Sequence, residues 1–286
     1  MPKRWNPRSS SVGNYFSCLQ RAAFDRALAQ GMLTVEDLGL PEKGCDDTKY
    51  ADYGSRTHEA WQRQYTDTFG SPPPRDEEIT EQWVAASRLC GDDLDAVRAS
   101  VDACAMRAVE AMPEAWDGLE WVAELDCKPK GLKLTGHIDL IAPKEGLFVD
   151  LKTTGRKPDH GRPKPAHLYQ IAAYSLMLRH MGINPTKGYL LYVESVRARW
   201  AILCEIDVNS EHFLELEAHL FDFLKYLTSA QLFKHARPNI GSQCTTQFCP
   251  YVSICRDKYL PGPGEIVGET TPKKLLANTA SEGSTL

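Results

Sequence analysis

Three short apolar runs, GLEWVAELDCK (118–128), LKLTGHIDLIA (132–142) and GLFVDLKTT (146–154), constrain the fold of this chain most strongly. Each is rich in Val, Ile, Leu, Phe or Thr and is bounded by Gly, Pro or Lys, the pattern of adjacent strands in a meander. The PKEG stretch between the second and third is a natural tight turn. Two of the runs carry acids among apolar neighbours. Asp139 sits in GHIDLI, and Asp150 follows Leu147, Phe148 and Val149. A charge on a buried strand needs a partner that compensates its desolvation.

The flanking sequence is mostly helical. Serines 9 to 11 suggest an N-cap for a helix running to about Gln30, with Tyr15, Leu19, Ala22 and Ala23 along its apolar side. A polar loop with Pro41, Gly44, Cys45 and Asp46 follows. A helix from near Tyr53 carries His58, Trp61 and Tyr65 and is broken by Pro72, Pro73 and Pro74. Residues 77–112 are again helical in pattern, as two helices meeting near Gly91. After the three runs come a helix over 165–181, strands at KGYLLYVES and RWAILCEID, and a helix over 210–229. The stretch from Pro261 is rich in Pro, Gly, Thr and Ser and reads as a loose tail. The expectation is an α/β core with an N-terminal helical layer. It forms a single domain over 1–260, followed by the tail 261–286. Within that domain, residues 1–115 are mainly helical, 116–207 form the sheet core, and 208–260 hold a C-terminal helix and cysteine group.

Within a strand, residues two apart share a face, so Asp150 and Lys152 project together. A short hairpin brings Asp139 alongside. Two carboxylates at one point either raise a pKa or bind a cation, and hard oxygen ligands suit Mg²⁺ or Mn²⁺. A lysine beside them can orient or deprotonate an attacking water and neutralise phosphate charge. An Asp-x-Lys by itself is common on solvated sheets; its apolar setting separates this one from that case.

Composition narrows the setting. Of 286 residues 42% are hydrophobic and 25% charged, and no run approaches the ~20 apolar residues of a membrane helix. The basic MPKRWNPRSSS start lacks the apolar core of a secretory signal, so a reducing, cytoplasm-like compartment is expected. The formal net charge of −5 does not advertise nucleic-acid binding. The segment 152–167 departs from it, with Lys152, Arg156, Lys157, Arg162 and Lys164 against Asp159. Such a segment is either a solvated loop or a phosphate contact.

Nine cysteines without a secretory signal argue against a disulfide framework. Cys104, Cys127 and Cys204 read as small buried hydrophobes. Cys244, Cys249 and Cys255 fall within twelve residues, a density that packing alone rarely produces. A thiolate-bound metal site needs a fourth ligand.

The residues Gly136–Ile141 (GHIDLI), Val149–Thr153 (VDLKT) and Gln170–Tyr174 (QIAAY) resemble, in order and spacing, three motifs of the RecB-like PD-(D/E)XK nucleases. The resemblance spans about residues 11–256 and implies that fold, a mixed sheet flanked by helices. It implies that Asp139 and Asp150 are metal ligands with the Leu151 carbonyl, that Lys152 is the catalytic lysine, and that Gln170 and Tyr174 border the active site. Gly54-Ser55-Arg56-Thr57-His58 is similar to the family's G-x-x-x-H, which makes His58 a third ligand. Glu124 is a further acidic candidate. Iron–sulfur members, among them CRISPR adaptation nucleases and helicase–nuclease subunits, use one early cysteine and three late ones. By that resemblance Cys18, Cys244, Cys249 and Cys255 hold a 4Fe-4S cluster that staples the two ends of the domain. A structural Zn²⁺ on the same thiolates is the alternative. Two departures stand: four residues separate Cys244 from Cys249 where two is commoner, and Leu19 follows Cys18 where proline is frequent.

The function this implies is metal-dependent hydrolysis of DNA. It would be exonuclease action on ends, with a single-strand preference in many relatives, in recombination, repair or spacer acquisition. Arg156, Lys157, Arg162 and Lys164 would contact the strand. No G-x-x-x-x-G-K-[ST] motor motif is present, so a separate helicase or recombination protein, or a homo-oligomer around DNA, is an expected partner. Two other classes compete. A non-catalytic iron–sulfur scaffold subunit would have no use for the complete Asp139, Asp150 and Lys152 set. A thiolate redox sensor leaves the strand acids unexplained.

Overall fold

A computed structural model of the chain describes residues 5–38, 40, 49–65, 81–237, 249–251 and 255. It divides into two compact units. One holds Met1–Pro7, Asn14–Asp46 and Phe221–Leu286, the other Arg8–Gly13 and Asp47–Leu220.

The larger unit is built on a five-stranded sheet in the order β1-β2-β3-β4-β5. The strands are β1 (Val122–Cys127), β2 (Gly136–Ala142), β3 (Leu147–Thr154), β4 (Lys187–Glu194) and β5 (Ala201–Ile206). The expected meander is present: β1–β2 and β2–β3 are antiparallel. The turn between β2 and β3 closes at Gly146, whose φ of 69° suits glycine.

Among the described residues five helices precede the sheet: α1 (Ser9–Ser17), α2 (Leu19–Ala29), α3 (Lys49–Gln62), α4 (Glu81–Ser87) and α5 (Leu94–Glu110). A sixth, α6 (Pro165–His180), joins the parallel pair β3–β4. The β4–β5 pair is antiparallel, which makes the sheet mixed. α6 starts with Pro165 at its first turn, where a missing N–H costs no helical bond. The chain turns from α4 toward α5 at Gly91, in the left-handed conformation, and Asp93 caps α5 through bonds from the Asp95 and Ala96 amides. α3, α4 and α5 bury Tyr53, Trp61, Trp83, Val97, Val101 and Cys104 against Leu140, Val149, Leu151, Leu191 and Val193 of the sheet. The α3 helix begins at Lys49, a turn earlier than its apolar pattern indicates. No helix among the described residues is long and apolar enough to cross a membrane.

In the smaller unit the expected single helix over 9–30 is broken at Cys18, which adopts an extended φ of −152° and precedes α2 as its N-cap residue. Residues ten apart on a straight helix lie ~15 Å apart along the axis. The Tyr15 hydroxyl nevertheless donates to Asp25 Oδ2 at 2.8 Å, which the break permits. Phe24, Ala27, Leu33, Leu38 and Tyr251 form a core against which Cys249 and Cys255 pack. Among the described residues two more helices follow the sheet: α7 (Glu211–Thr228), which belongs to this unit from Phe221 on, and α8 (Gln231–His235). Arg26 lies 4.8 Å over the Phe233 ring and donates to the Leu227 carbonyl at 3.0 Å. Cys45, Cys244, the proline run 72–74 and the tail from 261 lie outside the described residues.

Candidate active site

The β2–β3 ladder pairs Ala142 with Leu147, Ile141 with Phe148 and Leu140 with Val149, then stops. The next positions on the two strands are Asp139 and Asp150. Instead of a ladder bond, the Leu151 N–H donates to Asp139 Oδ2 at 2.8 Å. A carboxylate thus stands between the strands where backbone would have been.

Helix α3 supplies the second wall. A Cβ on Gly54 would lie 3.1 Å from Thr153 Oγ1, so the bare glycine lets the helix come close to β3. His58, one turn on, reaches Asp139 Oδ2 with Nδ1 at 3.1 Å. Gln62, a further turn along the same face, donates to the Asp139 carbonyl at 2.9 Å and to Glu124 Oε1 at 2.8 Å. Glu124 belongs to β1 at the position facing Asp139, where the β1–β2 pairing skips a residue; its φ is 50°. The G-x-x-x-H spacing therefore has a physical reading: the glycine sets the distance and the histidine uses it.

Helix α6 supplies the third wall. Gln170 Nε2 donates to Asp150 Oδ1 at 3.0 Å and to the Tyr174 hydroxyl at 2.7 Å, and that hydroxyl donates to the same Oδ1 at 3.2 Å. Asp150 Oδ2 faces Lys152 Nζ at 2.7 Å. Asp150 is 1% exposed, and burial pushes its carboxyl up to about 6, with Lys152 opposing and Asp139 adding to the rise. Burial also acts to raise Asp139, but His58, Lys152 and the Leu151 amide outweigh it and hold that carboxyl below the usual range. For His58, burial acts downward and the Asp139 carboxylate outweighs it, so the imidazole is raised. Two buried carboxylates with opposite shifts, one lysine and one histidine make a site where charge is concentrated.

The donor set, two carboxylates and an imidazole, fits a hard divalent cation. Among the described residues no three His, Cys, Asp or Glu side chains already form a metal cage. Asp139 is engaged with His58, and Asp150 with Lys152.

Two residues without a signal strong enough to single them out in the sequence join this wall. His167, three residues before Gln170, places Nδ1 2.8 Å from the Tyr192 hydroxyl and stacks on that ring at 5.5 Å. Tyr192 pairs with Lys152 in the parallel β3–β4 register and also accepts the Lys164 N–H at 3.2 Å. Burial, with Lys152 and Lys164 nearby, pushes His167 down to about 3, so it is neutral. The helical i, i+3 relation to Gln170 was the available signal.

Of the basic loop, Arg156, Lys157, Arg162 and Lys164 are all exposed on the segment leaving β3. Lys164 reaches Thr154 Oγ1, and Lys157 lies over the Trp200 ring. Cys18, Cys249 and Cys255 belong to the smaller unit, none in a disulfide.

The structure resembles, at low scores, the crystal structure of SSO0001 (17% identity, TM-score 0.34, covering 69% of this chain and 95% of that one). It also resembles a phage related exonuclease from Haemophilus somnus 129PT (13%, 0.36, 81% and 96%) and LHK-Exo in complex with dAMP (10%, 0.32, 64% and 94%). No curated protein matches the chain. The profile of the PD-(D/E)XK nuclease superfamily matches residues 33–256, which include every wall of the site. The chain belongs to the PD-(D/E)XK nuclease superfamily.

Proposed function

We propose that this nuclease hydrolyses phosphodiester bonds in DNA with Mg²⁺ or Mn²⁺, acting as an exonuclease on ends with a single-strand preference, in recombination or repair. The observation that carries the reading is the gathering of Asp139, Asp150, Lys152 and His58 where β2 and β3 part. Asp139, Asp150, His58 and the Leu151 carbonyl would hold the cation. When bound, it would polarise the scissile phosphate and make water more acidic.

The protein's own groups do the rest. Gln170 and Tyr174 fix Asp150 through Oδ1, leaving Oδ2 to Lys152. Lys152, on the same face of β3, orients the attacking water and offsets charge on the phosphate. Gln62 and the Leu151 amide fix Asp139 from both sides. Arg156, Lys157, Arg162 and Lys164 hold the strand electrostatically, so binding should weaken as salt rises.

In the smaller unit, Cys18, Cys244, Cys249 and Cys255 would bind a 4Fe-4S cluster, with Zn²⁺ as the rival metal. Support comes from Cys18 at the α1–α2 break and from Cys249 and Cys255 packing on the Phe24–Tyr251 core of that same unit. A separate helicase or recombination protein would supply motor action.

Cleavage of end-labelled single- and double-stranded DNA with Mg²⁺, Mn²⁺ or EDTA tests the nuclease reading. Metal-dependent cutting should vanish in Asp150→Ala and Lys152→Ala. Wild type that binds DNA and never cuts it under any metal would sink the proposal in favour of a scaffold.

A further inference from the structure

The turn between β4 and β5 is held in a conformation its residues do not prefer. Val196 has a φ of 69° and Ala198 of 49°, in the left-handed region that side chains with a Cβ rarely occupy. Neighbouring helices over-determine it. The Val196 N–H donates to the Tyr53 hydroxyl at 3.0 Å, Ser100 Oγ donates to the Val196 carbonyl at 2.6 Å, and Arg107 Nε donates to the Ala198 carbonyl at 3.1 Å. The result is a rigid presentation of Trp200, which follows directly.

Trp200 continues the β4–β5 ladder, its carbonyl accepting the Glu194 N–H at 3.0 Å. Glu194 and Tyr192 are two apart on β4, and Tyr192 pairs with Lys152, so Lys152, Tyr192, Glu194 and Trp200 share one face of the sheet. Two strand spacings and one two-residue step put Trp200 roughly 12 Å from Lys152. The half-buried indole carries Lys157 over its ring at 5.8 Å. Arg156, Arg162, Lys164, Arg197 and Arg199 lie on the same two segments. The one acid of the β4–β5 turn, Glu194, is neutralised by Arg199, whose Nε donates to it at 2.8 Å.

A rigid aromatic ring bordered by cations, on the catalytic face and a short step from the lysine, matches a base-stacking platform with phosphate contacts beside it. Duplex bases are stacked on each other and cannot use such a ring. Resting on the nuclease reading above, we infer that Trp200, with Lys157 over its ring, stacks an unpaired base of the DNA strand that passes the active site. The platform is what would give the enzyme its single-strand preference, and Lys157 swings from the ring to a phosphate when the base arrives.

The test is equilibrium binding in EDTA, where no strand is cut, with two fluorescent probes of equal length and charge. One is an oligothymidylate, the other an abasic strand. Full-length wild type should bind the oligothymidylate at least about tenfold more tightly than the abasic probe. Trp200→Ala should lose that difference while its affinity for the abasic strand stays the same. Trp200→Phe should keep most of it. The wild-type comparison needs no variant, so a folding defect in Trp200→Ala cannot blunt the test. Equal affinity of wild type for both probes overturns the platform, as does a Trp200→Ala protein that still tells them apart. Parallel cleavage with Mg²⁺ or Mn²⁺ separates the two ideas. Base discrimination without any cutting removes the nuclease reading and leaves the platform, and cutting without discrimination does the reverse.

Discussion

The main-chain N–H of Leu151 donates to the carboxylate of Asp139 at 2.8 Å, so β2 and β3 are joined at the site by a side chain. This bond separates the structural role of Asp139 from its chemical one. Asp139→Asn keeps an oxygen for the buried amide but loses the charge that faces His58 and a cation. Asp139→Ala loses both. We expect cleavage to fall by about 10²-fold or more in each. Only the alanine variant should lose stability, by about 1–3 kcal/mol, because it leaves a buried donor unpaired. Initial rates and urea midpoints measured side by side decide this; equal stability losses in the two variants would contradict it.

Gly54 should not gain stability on substitution by Ala as an ordinary helical glycine does. In mid-helix, Gly→Ala usually stabilises by about 1 kcal/mol. Here the added Cβ would stand 3.1 Å from Thr153 Oγ1, so either α3 or β3 must shift by a few tenths of an ångström. His58 lies one turn along and would move with the helix. Gly54→Ala is therefore expected to melt within a few degrees of wild type while losing about tenfold or more in cleavage rate. Adding Thr153→Ala should restore most of the rate. A double variant no better than Gly54→Ala would remove the steric explanation.

The legible features of this molecule are those encoded by local pattern. The β1–β2–β3 meander and the positions of Asp139, Asp150 and Lys152 follow from short apolar runs bounded by turn residues, and α6 from the longer apolar stretch that opens at Pro165. Other features depend on contacts distant in sequence. The helix over 9–30 breaks at Cys18, and the Tyr15–Asp25 bond across that break leaves no mark in the apolar pattern. Gln62 looks like any polar residue near a helix end until β1 and β2 supply Glu124 and the Asp139 carbonyl. His167 needs Tyr192, 25 residues away, to show its place. The division into two units also escapes a linear reading, because one of them draws on both ends of the chain.

His167 gives a pH prediction with a definite sign. Its folded-state value is pushed down to about 3 against an ordinary 6.5, by burial and by Lys152 and Lys164. The unfolded chain therefore binds a proton that the folded chain refuses between those values. Stability then rises with pH across the window, and is lost as pH falls below about 6.5. Replacing His167 with Gln removes the proton-binding group. Between pH 7.5 and pH 5, wild type should lose more stability than His167→Gln by on the order of 1 kcal/mol, after allowance for solvent screening of a partly exposed ring. Denaturant titrations at the two pH values check it; parallel losses would mean that His167 is charged in the folded protein.

The cysteines make the last prediction, and it concerns the smaller unit alone. Cys18 sits where α1 ends and α2 begins, while Cys249 and Cys255 pack on a core containing Phe24 and Tyr251. A cluster on these thiolates and Cys244 would close a loop of more than 200 residues between Cys18 and the C-terminal cysteines. Cross-links over such long loops stabilise chiefly by restricting the unfolded chain. Protein purified without oxygen should be brown and contain iron and acid-labile sulfide. Cys18→Ser should lose iron and melt lower, and Cys104→Ser, in the other unit, should keep the full iron content. Chelation should mimic Cys18→Ser, because metal binding and folding are coupled when the ligands come from both ends of a chain. Colourless wild type with one zinc per chain would replace the cluster with a zinc staple. Wild type with neither metal would remove the staple altogether and leave the Phe24–Tyr251 core to hold that unit by burial.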